Sequence, residues 1–444
     1  MTTLPAVRRA RVGTLSEYGV GSVGMGVWVT VPGLLLLYFL TDVLGVAPFL
    51  AGLTILAPKV IDVIVHPLLG SRSDREAVRQ GHRRSMMTRG ALLGVAMAAL
   101  FAVPGGLEGW SAAAWVCCWL VVGNLLFASF QVPYLTTASD LDIDYHERTR
   151  VFVYRMAFLT VGLLGAGVIA PALTASGSRA AYAQMAVALG VVIVITAFVA
   201  IRGVRRLTAE CGVRPPETGS AHSVLDDLRV AWRDRNFRFL ALSYLLTGTT
   251  THLFLAALPF VTDHIFDDKK LTALLMGLFL GPALVAGPVW RAVSRRIGKQ
   301  RGLLLCQSIF VVGSLVLLAG AAVGIAVTAP AVVALGVAFA GLQLFAFSMV
   351  PDAVDAARSA GVSRAGAYTG AWTATEALGT ALGPYLYAGV LGLGGFVSGT
   401  AGEHIIQPHS ALVAVVVGFT IVPAVLMSGA ILLQRRYELD STAS

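Results

Sequence analysis

Charge is what this chain has least of. Only 13% of its 444 residues are Asp, Glu, Lys or Arg, against roughly 25% in an ordinary soluble domain. A water-facing surface cannot be made from so few charges, which argues against a soluble enzyme. Cysteine is nearly absent as well. Cys117, Cys118, Cys211 and Cys306 show no CxxC or metal spacing, so a disulfide framework is excluded and the four read as small apolar fillers. The chain has no HExxH, no Ser/His/Asp arrangement and no phosphate loop. His404 and His409, at i and i+5, are not a good zinc pair. No catalytic group, metal or cofactor is expected. Lysine is the rarest cation, at four against 29 arginines. These cations form no nucleic-acid stripe, so nucleic acid is not an expected partner.

What remains is apolar. Hydrophobic types make up 56% of the chain and the mean hydropathy is +0.77. A crossing of the hydrocarbon core needs about 20 largely apolar residues. Twelve such runs lie near 18–41, 48–71, 86–104, 111–138, 150–174, 180–202, 238–262, 271–291, 302–324, 327–351, 364–392 and 410–433. They are too long for core strands, and the short alternating segments of a membrane barrel are missing. The expected fold class is therefore all-α, with twelve transmembrane helices. The polar stretch before the first run carries no small-residue cleavage site, so that run is expected to be retained. With the N-terminus inside, 29 basic residues fall on the inner side. Arg179, Lys269 and Lys270 fall outside, and Lys59 alone lies mid-span. This asymmetry predicts a multi-pass protein of the cytoplasmic membrane with both termini in the cytoplasm and the lipid bilayer as its surroundings.

A polar stretch containing Pro215, Pro216, Gly219 and Ser220 divides the runs into six and six. After it, Val224, Leu225, Leu228 and Trp232 share one helical face and predict a short interfacial helix. The expected organisation is an N-terminal bundle over 1–203, a cytoplasmic linker over 204–237 and a C-terminal bundle over 238–444. Glycines eleven apart, Gly70 and Gly81 after the second run and Gly287 and Gly298 after the eighth, each precede a basic cluster. Their equivalent positions support two parallel six-helix repeats. Gly19-Val-Gly21-Ser-Val-Gly24 matches GxGxxG, with Asp42 downstream. No strand precedes it and a lipid-length run follows, so it predicts close helix packing through Gly19, Gly21, Gly24 and Gly26 and not a nucleotide loop.

Ionisable residues at bilayer depth cost about 2.5–3.5 kcal/mol even on the lenient insertion scale, and so mark function. The second run carries Lys59, Asp62 and His66, spaced three and four apart on one helical face. One reading is a self-neutralising Lys59–Asp62 pair that locks helices. The other is a coupling-ion or substrate site, and an Asp beside a His suits protons. Asn124 and Gln131 share a face of the fourth run. Tyr154 and Arg155 open the fifth, and Arg155 is either a substrate ligand or a snorkelling end residue. Tyr368, Trp372 and Glu376 follow at i, i+4 and i+8 in the eleventh. Glu376 has no local cation and points to function. His252 reads as a satisfied interior histidine.

Several stretches carry a family likeness over nearly the whole length: Tyr18-Gly-Val-Gly21, Tyr38-Phe-Leu-Thr-Asp-Val-Leu-Gly45, Asp62-x-x-x-His66-Pro67-Leu-Leu-Gly70, Val132-Pro133-Tyr134, Pro351-Asp352-Ala-Val-Asp355 and Ala367-Tyr368-Thr-Gly-Ala-Trp372. With these the chain resembles the glycoside–pentoside–hexuronide:cation symporter family of the major facilitator superfamily. The resemblance implies two six-helix bundles around a central cavity, a small-molecule substrate (a sugar or glycoside first) and alternating access. In the sugar symporters the second span offers Asp-x-x-x-Asp to the cation and the fourth a further carboxylate. Here Asp62 fills the first place, His66 the second and Gln131 the third. The family's sugar-binding carboxylate of the first span corresponds to Gly26, the basic residue of the fifth to Arg155 and the lysine of the eleventh to Glu376. The resemblance therefore implies the scaffold, while sodium-coupled sugar transport does not carry over. The expected coupling ion is a proton in preference to sodium, at Asp62, His66 and Lys59. The expected substrate set is Gln131, Asn124, Tyr154, Arg155, Tyr368, Trp372 and Glu376. Two alternatives stand beside this: a carrier or exporter of a lipid-like or hydrophobic metabolite, and a membrane sensor or scaffold that does not transport.

Overall fold

A backbone in lipid has no water to bond to, and each unsatisfied group there costs several kcal/mol. Helix is the local answer, and the chain takes it almost throughout. The computed structural model describes residues 9–80, 82, 84–213, 229, 232–359, 365–403 and 405–438. The helices are α1 (Val12–Tyr38), continued by a π-helical turn over Phe39–Val43, then α2 (Pro48–Gln80), α3 (Arg84–Gly90), α4 (Leu93–Phe101), α5 (Gly109–Asp140), α6 (Tyr145–Thr174) and α7 (Arg179–Cys211). After them come α8 (Arg235–His264), α9 (Leu271–Ile297), α10 (Lys299–Val323), α11 (Ile325–Ser359), α12 (Ala365–Leu393), α13 (His409–Phe419) and α14 (Ile421–Gln434). Among the described residues β-structure is limited to two isolated bridges, Leu44 to Thr400 and Leu141 to Val213.

Nine helical segments among the described residues are long and apolar enough to cross a membrane. The other three expected runs lie in α2, in α3 with α4, and in α12. Two runs are broken where the sequence predicts one piece, at Ala91–Leu92 and at Thr420. At the arginine-rich ends the helices run past the apolar stretches, α2 to Gln80, α7 to Cys211, α9 to Ile297 and α11 to Ser359. Hydropathy marks only the part that sits in lipid. Arg, Glu and Gln are good helix formers and let the turns continue into water. The stretch expected as linker from 204 thus begins in helix. Val224, Leu225 and Leu228 of the expected interfacial helix, the side chain of His66 and His404 lie outside the described residues.

The chain packs as two compact units. One comprises Met1–Pro32, Ile61–Leu107 and Ala114–Ser220, the other Gly33–Val60, Glu108–Ala113 and Ala221–Ser444. In the first unit α1 lies against α5, α6 and α7 through its glycines. A Cβ at Gly21 would stand 2.6 Å from the Ala200 Cβ, one at Gly24 2.8 Å from the Thr196 hydroxyl, and one at Gly26 2.7 Å from the backbone nitrogen of Leu163. From the other side, a Cβ at Gly162 would stand 2.5 Å from the carbonyl oxygen of Val23. Helices without a hydrophobic force between them associate through such close backbone approach. Just before α1, the backbone N–H groups of Ala10 and Arg11 donate to the carboxylates of Glu147 and Glu210, each at 3.1 Å. Acids at a helix N-terminus also suit its dipole.

In the second unit α8 packs on α12, α13 and α14, while α11 packs on both α9 and α10. Gly298, at φ +82°, ends α9 and turns the chain into α10. Only a residue without a Cβ adopts that angle at no steric cost. Asp234 caps α8, accepting from the backbone N–H of Asn236 at 2.9 Å and of Phe237 at 3.1 Å.

Candidate functional site

In the first unit the two family stretches around Tyr18 and Tyr134 meet. The Tyr18 hydroxyl donates to the Tyr134 carbonyl at 3.0 Å, and the Tyr134 hydroxyl donates to the Tyr18 carbonyl at 2.8 Å. Their rings stack at 4.6 Å, and the Ser22 hydroxyl lies 2.9 Å from that of Tyr134. This buried lock holds α1 to α5. Beside it, Arg155 lies within electrostatic reach of both tyrosines. Its guanidinium sits 5.2 Å from the centre of the Phe152 ring. The Nε of Arg155 and the Nδ2 of Asn124 are buried donors without a hydrogen-bond partner among the described residues. Asn124 itself is 3% exposed. Gln131 and Tyr154 are half-buried. Asp62 is buried on α2, one turn after the half-buried Lys59.

Gly26, which the resemblance sets against the sugar-binding carboxylate of the sugar symporters, faces the backbone of α6 at Leu159, Gly162 and Leu163. A side chain of any kind there would meet main-chain atoms.

In the second unit the Trp372 ring stacks on Tyr244 at 4.2 Å, and Phe347 meets it edge-on at 5.7 Å. The Tyr244 hydroxyl donates to the Gln343 side-chain oxygen at 3.2 Å. The indole N–H of Trp372 is a further buried donor without a partner among the described residues. Glu376 is half-buried and within electrostatic reach of Tyr244. Tyr244, Gln343 and Phe347 were not singled out by the sequence. Tyr244 and Phe347 sit in apolar runs where aromatics are common, so only folding reveals them. Tyr368, on the same face of α12 by spacing, is otherwise engaged: its hydroxyl donates to Asp234 at 3.1 Å and its ring meets Phe237 edge-on at 4.9 Å. It secures the α8 cap. His252 Nδ1 lies 2.9 Å from the Gly248 carbonyl, a satisfied interior histidine.

A further cluster in this unit joins the end of α1 to the end of α8. His264 Nε2 lies 2.8 Å from Asp42 Oδ1, Tyr38 donates to Asp263, and the Lys269 ammonium is 3.4 Å from Asp263. The ligand atoms of Asp42, Asp263 and His264 lie within 4.8 Å of one another. A divalent ion would have to displace the ammonium that already compensates Asp263, so we assign no metal here. The backbone supports the cluster: Gly399 and Ala401 donate to the Thr41 and Val43 carbonyls at 3.0 and 3.2 Å.

The fold and these polar sets describe a membrane carrier. Residues 17–441 match the family described as MFS/sugar transport protein, and the chain belongs to it. It is a secondary transporter of a small solute and not an enzyme. It is similar to the uncharacterized symporter sll1374 of Synechocystis sp., 25% identical, covering 96% of this chain and 94% of that protein. It is also similar to the isoprimeverose transporter of Lactiplantibacillus pentosus, 24% identical, covering 88% of this chain and 81% of that protein. Among solved structures, a point mutant of the nucleoside transporter NupG superposes with a TM-score of 0.69 at 14% identity, covering 95% of this chain and 99% of that one. That likeness shows the major facilitator fold.

Proposed function

We propose that the chain is a symporter that couples a proton to the movement of a sugar or glycoside across the cytoplasmic membrane, with both termini cytoplasmic. Residues 1–203 and 238–444 are its two halves and 204–237 the linker between them. The observation that carries the solute reading is that each unit leaves buried N–H donors open, those of Asn124 and Arg155 in the first and that of Trp372 in the second. An unmade hydrogen bond at a buried group costs about 1–3 kcal/mol, a cost that hydroxyl oxygens of a solute remove. Within the first unit Gln131 adds an amide and Tyr154 a phenol to the candidate substrate residues; within the second the Tyr244–Trp372 pair offers an apolar edge for a sugar ring, Glu376 a carboxylate, and Tyr368 positions α12. The isoprimeverose transporter and the symporter among the relatives support a glycoside and a coupling cation.

Asp62 carries the proton in this reading. It is the one carboxylate left of the family's cation set, it is buried on α2, and His66 stands one turn away in sequence. Lys59 sets its charge environment from the preceding turn. A second reading has one observation in its favour. The backbone contact at Gly26 leaves no room there for a sugar-binding carboxylate in the first span, which suits a less hydroxylated, lipid-like metabolite. Uptake of labelled disaccharides, glycosides and apolar metabolites into proteoliposomes under an imposed inward proton gradient separates the two. Accumulation of a sugar or glycoside is expected, and accumulation of apolar compounds alone would overturn the first reading.

A further inference from the structure

Beyond the transport site, the first unit contains an open cleft of about 1020 Å³ between the start of α3 and the last turns of α7. Four arginines line it: Arg84, Arg202, Arg205 and Arg206. Phe198 and Ile201 form its apolar part. Along α7, Phe198 and Arg202 stand four apart, as do Ile201 and Arg205, so each apolar side chain has an arginine on its own face one turn further on. Phe198 is 54% exposed, and Ile195 and Val191 continue the exposed apolar face away from the arginines. This is the pattern of a helix leaving hydrocarbon and entering the headgroup layer.

The charge in the cleft is only partly compensated. Glu17 takes Arg206 at 2.6 Å and Arg202 at 3.6 Å. Arg84 and Arg205 have no ion-pair partner among the described residues, and the Nδ1 of His82 beside them is a buried ring nitrogen without a hydrogen-bond partner. Guanidinium groups match phosphate oxygens in a bidentate way that ammonium groups do not. Four arginines and one carboxylate leave a clear excess of positive charge at a site whose other wall is apolar. A free phosphate would answer the charge and leave Phe198 and Ile201 unused. A ligand with a phosphate at one end and a hydrocarbon chain at the other answers both, and basic pockets between helices at a membrane surface hold lipid headgroups of this kind.

We propose that this cleft binds an anionic phospholipid, with its phosphate on Arg84 and Arg205 and an acyl chain along Phe198 and Ile201. Glu17 holds Arg202 and Arg206 in place and keeps the site from repelling itself when it is empty of lipid. The site is separate from the solute-binding residues, so its occupancy can be measured without any solute.

The test is native mass spectrometry of the purified full-length chain titrated with phosphatidylglycerol, with phosphatidylcholine of the same acyl chains, and with inorganic phosphate. Phosphatidylglycerol is expected to bind at least tenfold more tightly than phosphatidylcholine. Arg84→Gln with Arg205→Gln is expected to remove that preference while phosphatidylcholine binding stays unchanged, which also reports a folded protein. Arg291→Gln, outside the cleft, is expected to keep it. Phe198→Ala is expected to weaken phosphatidylglycerol without touching the headgroup preference. Equal binding of the two lipids, or a preference that survives the double variant, would overturn the proposal. Displacement of phosphatidylglycerol by millimolar inorganic phosphate would assign the site to a soluble anion and overturn it as well. Should the double variant not be recovered folded, Arg205→Gln alone carries the same comparison.

Discussion

In the proposed reading, coupling turns on Asp62, a buried carboxylate on α2. Asp62→Asn is expected to abolish accumulation against a gradient while leaving solute exchange intact, because a neutral amide resembles the protonated acid. Counterflow and uphill uptake measured on the same proteoliposomes check both halves of this. Trp372→Phe keeps the stack on Tyr244 and removes the N–H. It is expected to weaken solute binding about fivefold, the equivalent of roughly 1 kcal/mol for one hydrogen bond, with melting temperature unchanged. Glu376→Gln is expected to change solute affinity by more than tenfold, or about 1.4 kcal/mol, measured by binding titration. At this scale the sequence offers the charged and amide residues as candidates, because a charge in an apolar run stands out. It does not offer Tyr244 and Phe347, whose rings folding brings to 4.2 and 5.7 Å of Trp372. In the sequence Asp42 stands out only in a family stretch and downstream of a false nucleotide motif. Its partner His264 is remote in the chain, and no local spacing joins them.

Among the elements, α1 shows how glycine spacing becomes packing. The three glycines that mimic a nucleotide loop and Gly26 after them each face a neighbouring helix, and Gly26 approaches main-chain atoms of α6. Gly26→Ala is expected to destabilise by about 1–3 kcal/mol, the usual cost of overpacking, and to lower the melting temperature in detergent. Gly33→Ala, in the same helix with open space around it, is expected to leave it unchanged. Helix was legible in the apolar runs, each of which falls largely in helix among the described residues. Their ends were not. Hydropathy is blind to polar turns such as those that carry α7 to Cys211, and blind to the breaks at Ala91–Leu92, beside Gly90 and Gly94, and at Thr420, between Gly418 and Pro423, because glycine and proline do not interrupt an apolar run in hydropathy.

For the whole molecule the choice of ion is the open consequence of composition. Sodium must be held by oxygens and has no titratable chemistry. Of the three places where the family offers carboxylates, this chain fills one with Asp62 and the others with His66 and Gln131. A proton needs a single acceptor. Transport is therefore expected to respond to pH between about 5 and 8, the range in which an unperturbed histidine changes charge, and to ignore sodium. Initial uptake with each gradient imposed alone decides this, and stimulation by sodium at fixed pH without any proton response would refute it. The class of the molecule was legible from its poverty of charge and from its arginines, and the family from short motifs spread along the chain. The grouping of Gly33–Val60 with Ala221–Ser444 is a matter of packing, and nothing in the local sequence announces it.

The contact of Gly26 with α6 also limits what change can reach. Restoring a carboxylate at position 26 is one codon's work on paper. Its Cβ would meet the main chain of Leu163, and Gly162 opposite already has no side chain to give up. Space could come only from moving one helix away from the other, which takes several replacements at once, each unfavourable alone. A library of single substitutions screened for new sugars would pass over this position. The contact makes position 26 a valley that one-step search does not cross.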